Sequence, residues 1–428
     1  MEHPVRRKTA LVILTLIYIF NFMDRQIMGV LAEPIKQELG LSDSQLGLLT
    51  GFMFALFYVS FGVPVAWFAD RTRRTWVVAA ACALWSGFSA ACGLATNFLT
   101  LAAARVGVAV GEAGGVPPSY SLIADFFPPE SRARALAFYS LGVPLGLGAG
   151  TAAGGWIASE FGWRTAFFVV AAPGLFLSAL LLIFVREPQR GRLDQLAVPE
   201  TPSSLGSSIG LFFRSPALLL VSLSCALGGF ACYAMMSWLA PYLIRVLGMN
   251  LAEIGSYLSI TIAIGMGVGI WVSGALADRL GPSDNRMYAW IPGVAMILGA
   301  PALVAATMID DWRLALPLFG LALGLSIFYL APSVAIVQQI VPPSQRSTAS
   351  ALLLLCLNLV GLGGGPLFVG VVSDLAAPAY GDESLRVAFY ALAPMFILAA
   401  LANVAAARVL GRRARPFSGA SEPAAAVS

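Results

Sequence analysis

The chain has 428 residues, of which 58% are hydrophobic and only 11% charged, and a mean hydropathy of +0.82 excludes a soluble globular protein, because too few polar side chains remain to cover a water-facing surface. The net charge of +4 is dispersed over short loops and forms no basic run interleaved with stacking aromatics, which excludes a nucleic-acid surface. The five cysteines lie inside apolar stretches as packing residues, and the single histidine, His3, leaves neither a histidine metal site nor a histidine proton relay within a membrane.

A helix that crosses the hydrocarbon needs about 20 apolar residues. Twelve stretches of at least that length run over residues 10–38, 45–69, 74–94, 97–125, 132–159, 163–185, 213–246, 252–279, 287–308, 312–341, 345–374 and 385–409, predicting an all-α membrane protein. With the N-terminus cytoplasmic, 19 of the 26 basic residues fall in cytoplasmic segments, 5 in outside segments and 2 within spans, so both termini are expected in the cytoplasm. Lysine occurs only as Lys8 and Lys36 against many arginines, and the loops are minimal, which points to a bacterial inner (plasma) membrane.

In chain order, the first span is too long for a cleavable signal and carries Asp24 and Arg25 some 15 residues from its start, about 22 Å deep at 1.5 Å per residue. The second ends in Ala66-Trp67-Phe68-Ala69-Asp70-Arg71, followed by Arg73 and Arg74. The fourth holds Arg105 and Glu112, seven residues or two turns apart on one face, and ends near Asp125. A charge at the bilayer centre costs at least about 2.5 to 3.5 kcal/mol, so these four intramembrane charges are functional candidates. Their sum is zero, which equally permits a purely structural network of paired charges.

The fifth span carries a glycine-rich face of Gly142, Gly146, Gly150 and Gly154, suited to close helix approach. A Pro- and Ser-rich polar stretch then separates the expected units: an N-terminal bundle at 1–185, a cytoplasmic linker at 186–212, a C-terminal bundle at 213–410 and a tail at 411–428. The seventh span offers Tyr233, Met236 and Trp238, the tenth Phe328 and Tyr329, and the eleventh Asn358, with no central charge among them. That describes a cavity charged on one wall and aromatic and methionine-rich on the other, which suits an amphipathic substrate. The eighth span ends in Gly274-Ala275-Leu276-Ala277-Asp278-Arg279, repeating the end of the second, and Pro128-Pro129-Glu130-Ser131-Arg132 recurs as Pro342-Pro343-Ser344-Gln345-Arg346. Two parallel repeats of six helices imply a site at the midplane between two pseudo-symmetric bundles and rocking of one half against the other.

The Asp70-Arg71 and Asp278-Arg279 loops resemble the signature of major facilitator transporters, although Ala66 stands where the family usually has glycine. The resemblance implies a gate in which Asp70 caps a helix of the other half and Arg71 or Arg74 pairs with Asp125, with Asp278 and Arg279 as the counterparts. Asn21-Phe22-Met23-Asp24-Arg25, Leu41-Ser42-Asp43-Ser44-Gln45-Leu46-Gly47 and Arg105-Val106-Gly107 through Gly111-Glu112-Ala113 look like the spinster family of lipid transporters, most closely over residues 20–190. This resemblance implies transport of sphingosine-phosphate-like or lysophospholipid molecules, with Asp24, Arg25, Arg105 and Glu112 at the functional positions.

The expected function is therefore secondary transport by a monomer, with protons as coupling ion, Asp24 and Glu112 as proton carriers and Arg25 and Arg105 as ligands of an anionic head group. The alternative is an organic-anion or multidrug transporter on the same scaffold. A non-transporting receptor or scaffold is disfavoured by the intact gating loops, and an enzyme by the lack of a paired nucleophile and base or of a nucleotide-binding loop, so no cofactor is expected.

Overall fold

The computed structural model describes residues 4–190, 205–342 and 345–412. Among these residues the regular structure is helical throughout. Ten continuous runs are long and apolar enough to cross a membrane, and two of them, Arg134–Phe184 and Thr348–Gly411, are 51 and 64 residues long and hold two crossings each. The resulting twelve helices are α1 (Pro4–Val30), α2 (Asp43–Arg71), α3 (Arg74–Cys92), α4 (Phe98–Phe126), α5 (134–161), α6 (163–184), α7 (Pro216–Arg245), α8 (Leu251–Leu280), α9 (Met287–Thr307), α10 (Trp312–Ile340), α11 (348–380) and α12 (384–411). Most of the expected linker (191–204) and tail (413–428), together with His3, Pro343 and Ser344, lies outside the described residues.

The helix ends follow from local chemistry. The expected first span at 10–38 is not one helix: α1 stops at Val30 and a short helix, Ala32–Leu39, follows, because Pro34 has no N–H to donate to the Val30 carbonyl. Likewise, the expected span at 213–246 is divided into Leu205–Arg214 and α7 by Ser215, whose hydroxyl accepts from Leu218 N ahead of Pro216 at the first helical position. Gly162, at φ +79°, makes the turn between α5 and α6 in a backbone region that glycine enters without steric cost. In α4 the chain unwinds over Ala113–Gly115, where Pro117 and Pro118 remove the donors that would continue the helix past Glu112.

Within the first half α1 lies against α5, and α3 against α4 and α6; within the second, α12 lies against α7 and α9, and α8 against α10. The glycine face of α5 brings the backbone of α1 very close: a Cβ added to Gly150 would sit 2.8 Å from Met23 Cα, beside Asp24. Large apolar side chains such as Val63, Trp271 and Leu375 point outward, as a lipid-facing surface requires. One end of the bundle carries Arg71, Arg73, Arg74 and the start of α1 and is here called the basic end; the other, with Lys36, Arg164, Arg245 and Arg386, is the far end.

The halves meet in the far part of the membrane through paired backbones. A Cβ on Gly155 of α5 would lie 2.6 Å from Gly255 at the start of α8, and one on Gly51 of α2 would lie 2.8 Å from the Gly363 carbonyl oxygen of α11. No side chain fits in either seam.

Candidate functional site

Helices α1 and α4 bring the four intramembrane charges into two crossed pairs. Arg25 grips one oxygen of Glu112 with two donors, Nε at 2.8 Å and Nη2 at 2.6 Å. Arg105 Nη1 stands 3.6 Å from Asp24 Oδ2, an ionic contact beyond hydrogen-bond length, while the Ser89 hydroxyl on α3 donates to Asp24 Oδ1. Neighbouring positions on a helix point about 100° apart, and the two-turn spacing of Arg105 and Glu112 lets one helix meet both Asp24 and Arg25. All four are deeply placed; only the Arg25 side chain keeps appreciable exposure, 15%.

The two pairs are unequal. Arg105 Nε and Nη1, Asp24 Oδ2 and Glu112 Oε1 are buried with no hydrogen-bond partner among the described residues. Buried donors and acceptors left in this way are unusual in folded proteins and are completed by a water, a ligand or a conformational change. Aromatic faces supply part of the compensation: the Arg25 guanidinium carbon lies 5.0 to 5.1 Å from the ring centres of Phe22, Phe54 and Tyr58, and that of Arg105 lies 5.2 Å from Phe54.

Arg25 and Arg105 border a small cavity between the halves, with Gln26, Thr50 and Phe54 on the first-half wall and Tyr233, Met236, Ser237 and Leu362 on the other. Its volume of about 40 Å³ is that of a few waters, so it takes a larger ligand only if its lining side chains move. The charges all stand on the first-half wall.

The expected second wall needs correction. Trp238 is buried and donates its indole N–H to the Pro366 carbonyl at 2.8 Å, tying α7 to α11. Phe328 turns to the other side, toward a groove between α8 and α10, and Tyr329 is buried beneath Gly228 and Gly229 of α7. In all three the large ring fills space between helices of one half instead of the space between the halves. Asn358 is half-buried on α11, about one turn on the basic side of Leu362.

At the basic end Arg74 bonds Asp125 at 2.5 Å, and it also holds Glu187 at 2.7 Å and Ser121 at 2.7 Å. Burial alone would raise the Glu187 carboxyl, but the Thr75 amide and the Arg74 guanidinium outweigh it and hold the group below the usual carboxylate range. Arg71 does not pair with Asp125; its guanidinium stacks 3.8 Å above the Trp67 ring. Asp70, expected to cap a helix of the other half, is exposed, as are Asp278 and Arg279, because the halves are joined at the opposite end of the bundle.

That far-end junction is the part of the site that sequence reasoning missed. Arg245 of α7 reaches across to Glu33 at 2.7 Å and to Asp43 at 2.7 Å. Asp374 of α11 accepts from the backbone amides of Asp43 and Ser44 at 3.0 and 2.7 Å, capping the start of α2 from the other half, and the Ser373 hydroxyl donates to Asp43 at 2.6 Å. The pattern Ser42-Asp43-Ser44-Gln45 is a legible helix start, and Glu33 and Arg245 stand out as charges at span ends, but nothing in the sequence pairs residues some 200 positions apart.

Twelve helices in two halves, with a charged site between them and a junction at one end, define the architecture of an alternating-access transporter. The family model described as Major Facilitator Superfamily matches residues 14–365, and the chain belongs to that superfamily. Within it the protein is a spinster-like transporter, not an enzyme. It is 31% identical to a solved bacterial homologue of the human lysosomal transporter spinster in an inward-facing, unoccupied conformation, with a TM-score of 0.88 over 95% of this chain and 98% of that one. It is 36% identical over 389 residues to an MFS-type efflux pump of Mycolicibacterium smegmatis, covering 90% of this chain and 89% of the pump. Human protein spinster homolog 1 is 28% identical over 396 residues, 86% of this chain and 73% of that protein.

Proposed function

We propose that this integral membrane protein moves an amphipathic, lipid-like anion by proton-coupled alternating access, with residues 1–185 and 213–410 as the two rocking units of a monomer. The observation that carries the reading is the cluster of buried, unspent hydrogen-bonding groups on Arg105, Asp24 and Glu112, beside a central cavity that Arg25 and Arg105 border. An anionic head group that engages Arg105 satisfies its free donors, and one that engages Arg105 or Arg25 draws the guanidinium off its carboxylate. The carboxylate left without its counter-charge is then neutralised by a proton, which links substrate and proton occupancy. Asp24 is the first candidate, since its pairing at 3.6 Å is the looser of the two. The rings of Phe22, Phe54, Tyr58 and Tyr233 and the Met236 thioether supply apolar contact for the body of the substrate. In this reading the basic end faces the cytoplasm of a bacterial cell with both termini, the far-end junction is the closed outer gate, and Asp70, Arg71, Asp278 and Arg279 belong to the inner gate, open in this conformation.

The second reading, efflux of organic anions or drugs, is favoured by the similarity to the mycobacterial pump. The test is uptake into proteoliposomes across a panel of lysolipids, sphingoid phosphates, aromatic acids and cationic dyes, with and without a pH gradient. Asp24→Asn and Glu112→Gln are expected to abolish the response to the gradient in folded protein; retention of that response by both overturns the coupling role. Preference for a small hydrophilic acid, with no dependence on chain length, overturns the lipid reading.

A further inference from the structure

We propose that the basic end of the first half holds a second, non-transport binding site for an anionic membrane phospholipid, with Arg73 and Arg186 on the phosphate and one acyl chain in a groove between α2, α3 and α4. The groove encloses about 650 Å³ and is lined by Val65, Phe68, Trp76, Ala80 and Leu84, with Val110 at its back. It runs from Arg73 to Leu84, about 16 Å at 1.5 Å per residue, close to half of a hydrocarbon core about 30 Å thick. Its depth is that of a single leaflet. A second cavity of about 390 Å³ shares Arg73 and Trp76 with the groove and continues it to Arg186, just beyond the end of α6.

Charge selects the head group. Five arginines crowd this corner, and three are already engaged: Arg74 with Asp125 and Glu187, Arg190 with the carbonyls of Ala69 and Thr72, and Arg71 on the Trp67 ring. Arg73 and Arg186 are exposed and make no ion pair among the described residues. Glu187, the one carboxylate lining the outer cavity, directs its oxygens to Arg74 at 2.7 Å and to the Thr75 amide at 2.9 Å, so its charge is compensated on the protein side. Two free guanidinium groups at the mouth of an apolar slot match a phosphodiester whose acyl chain enters the slot, and the exposed Trp76 indole between them suits the interfacial level. A zwitterionic lipid fills the slot equally well but brings a cation into the same basic corner. The site is independent of the transported substrate, since it opens on the lipid-facing side of α3 and not on the cavity between the halves.

The test is binding of fluorescent phosphatidylglycerol to the full chain in micelles, with competition by unlabelled phosphatidylglycerol, phosphatidylcholine and glycerol 3-phosphate. Unlabelled phosphatidylglycerol is expected to compete best, and Arg73→Gln/Arg186→Gln to reduce its preference over phosphatidylcholine by roughly 30-fold, the order of two juxtamembrane charges. Ala80→Phe, which fills the slot, is expected to weaken both lipids together. The single Arg186→Gln variant gives the same readout at reduced size if the double variant unfolds. Equal competition by the two lipids in the unaltered protein, or an unchanged preference in the arginine variants, overturns the proposal. Competition by glycerol 3-phosphate as strong as by the lipid reassigns the arginines to a soluble phosphate and overturns it too.

Discussion

Asp24 and Glu112 are chemically alike and lie on facing helices, but their surroundings differ. Glu112 receives two guanidinium donors on one oxygen, whereas Asp24 receives one hydroxyl and a 3.6 Å ionic contact. Removing Arg25 therefore strands a buried carboxylate, and Arg25→Ala is expected to weaken anionic ligands more than neutral ones in a binding assay; equal losses would favour a structural pair instead. Glu187 gives a pH prediction at the basic end. Its carboxyl is held below the unfolded value near 4.3, so its contribution is present at neutral pH and is lost as pH falls through the lower folded value. Glu187→Gln is expected to lower the melting temperature at pH 7 and to have a progressively smaller effect as the pH is lowered into the acid range, which a series of thermal scans in detergent checks.

Helix α7 illustrates how an element turns a sequence-level candidate into a packing residue. Trp238 and Met236 are two positions apart on it, so they face different sides; Met236 borders the cavity and Trp238 is inside the second half on Pro366. Trp238→Phe is expected to cost about 1 kcal/mol through the lost hydrogen bond and Trp238→Ala about 3 to 5 kcal/mol through the cavity it leaves, with substrate affinity unchanged in the phenylalanine variant. A large affinity loss in that variant would return Trp238 to the substrate wall. The glycine seams act at the same scale. Gly155→Leu forces a side chain into a 2.6 Å approach between α5 and α8, and it is expected to raise the accessibility of far-end residues to thiol reagents in a cysteine-scanning experiment.

Taken as a whole, the molecule is closed at one end by charges that cross from half to half and has exposed signature loops at the other. Arg245 and Asp43 are nearly buried, and removing one member of such a pair costs of the order of 3 kcal/mol, roughly 100-fold in a two-state equilibrium. Arg245→Ala is expected to shift the population toward a far-end-open form, read as increased spin-label distances across that end. Unchanged distances would show that the glycine seams and the Asp374 and Ser373 contacts keep it shut without Arg245.

Several of these features were legible before any coordinates. Twelve crossings follow from runs of apolar residues, because a bilayer tolerates only helices whose backbone bonds are internal and whose side chains are greasy. The candidacy of Asp24, Arg25, Arg105 and Glu112 follows from the same rule, since a charge in lipid must have a reason. Arg74, not Arg71, takes Asp125, and that choice required the turn after α2, where the extended backbone of Thr72 and Arg73 sends the two arginines to opposite sides. Which ring on α7 or α10 faces the cavity depends on helix rotation, which an all-round apolar helix does not record in its sequence. The far-end junction of Glu33, Asp43, Arg245 and Asp374 joins residues distant in the chain, so its pairing is set by how the two halves dock. By itself, then, the sequence determined the elements, their repeat and the charges that lipid would penalise, because each is a local consequence of solvation. The tertiary structure decided which charges pair, which rings face the ligand and which end is shut, because those depend on contacts between helices that the chain order does not encode.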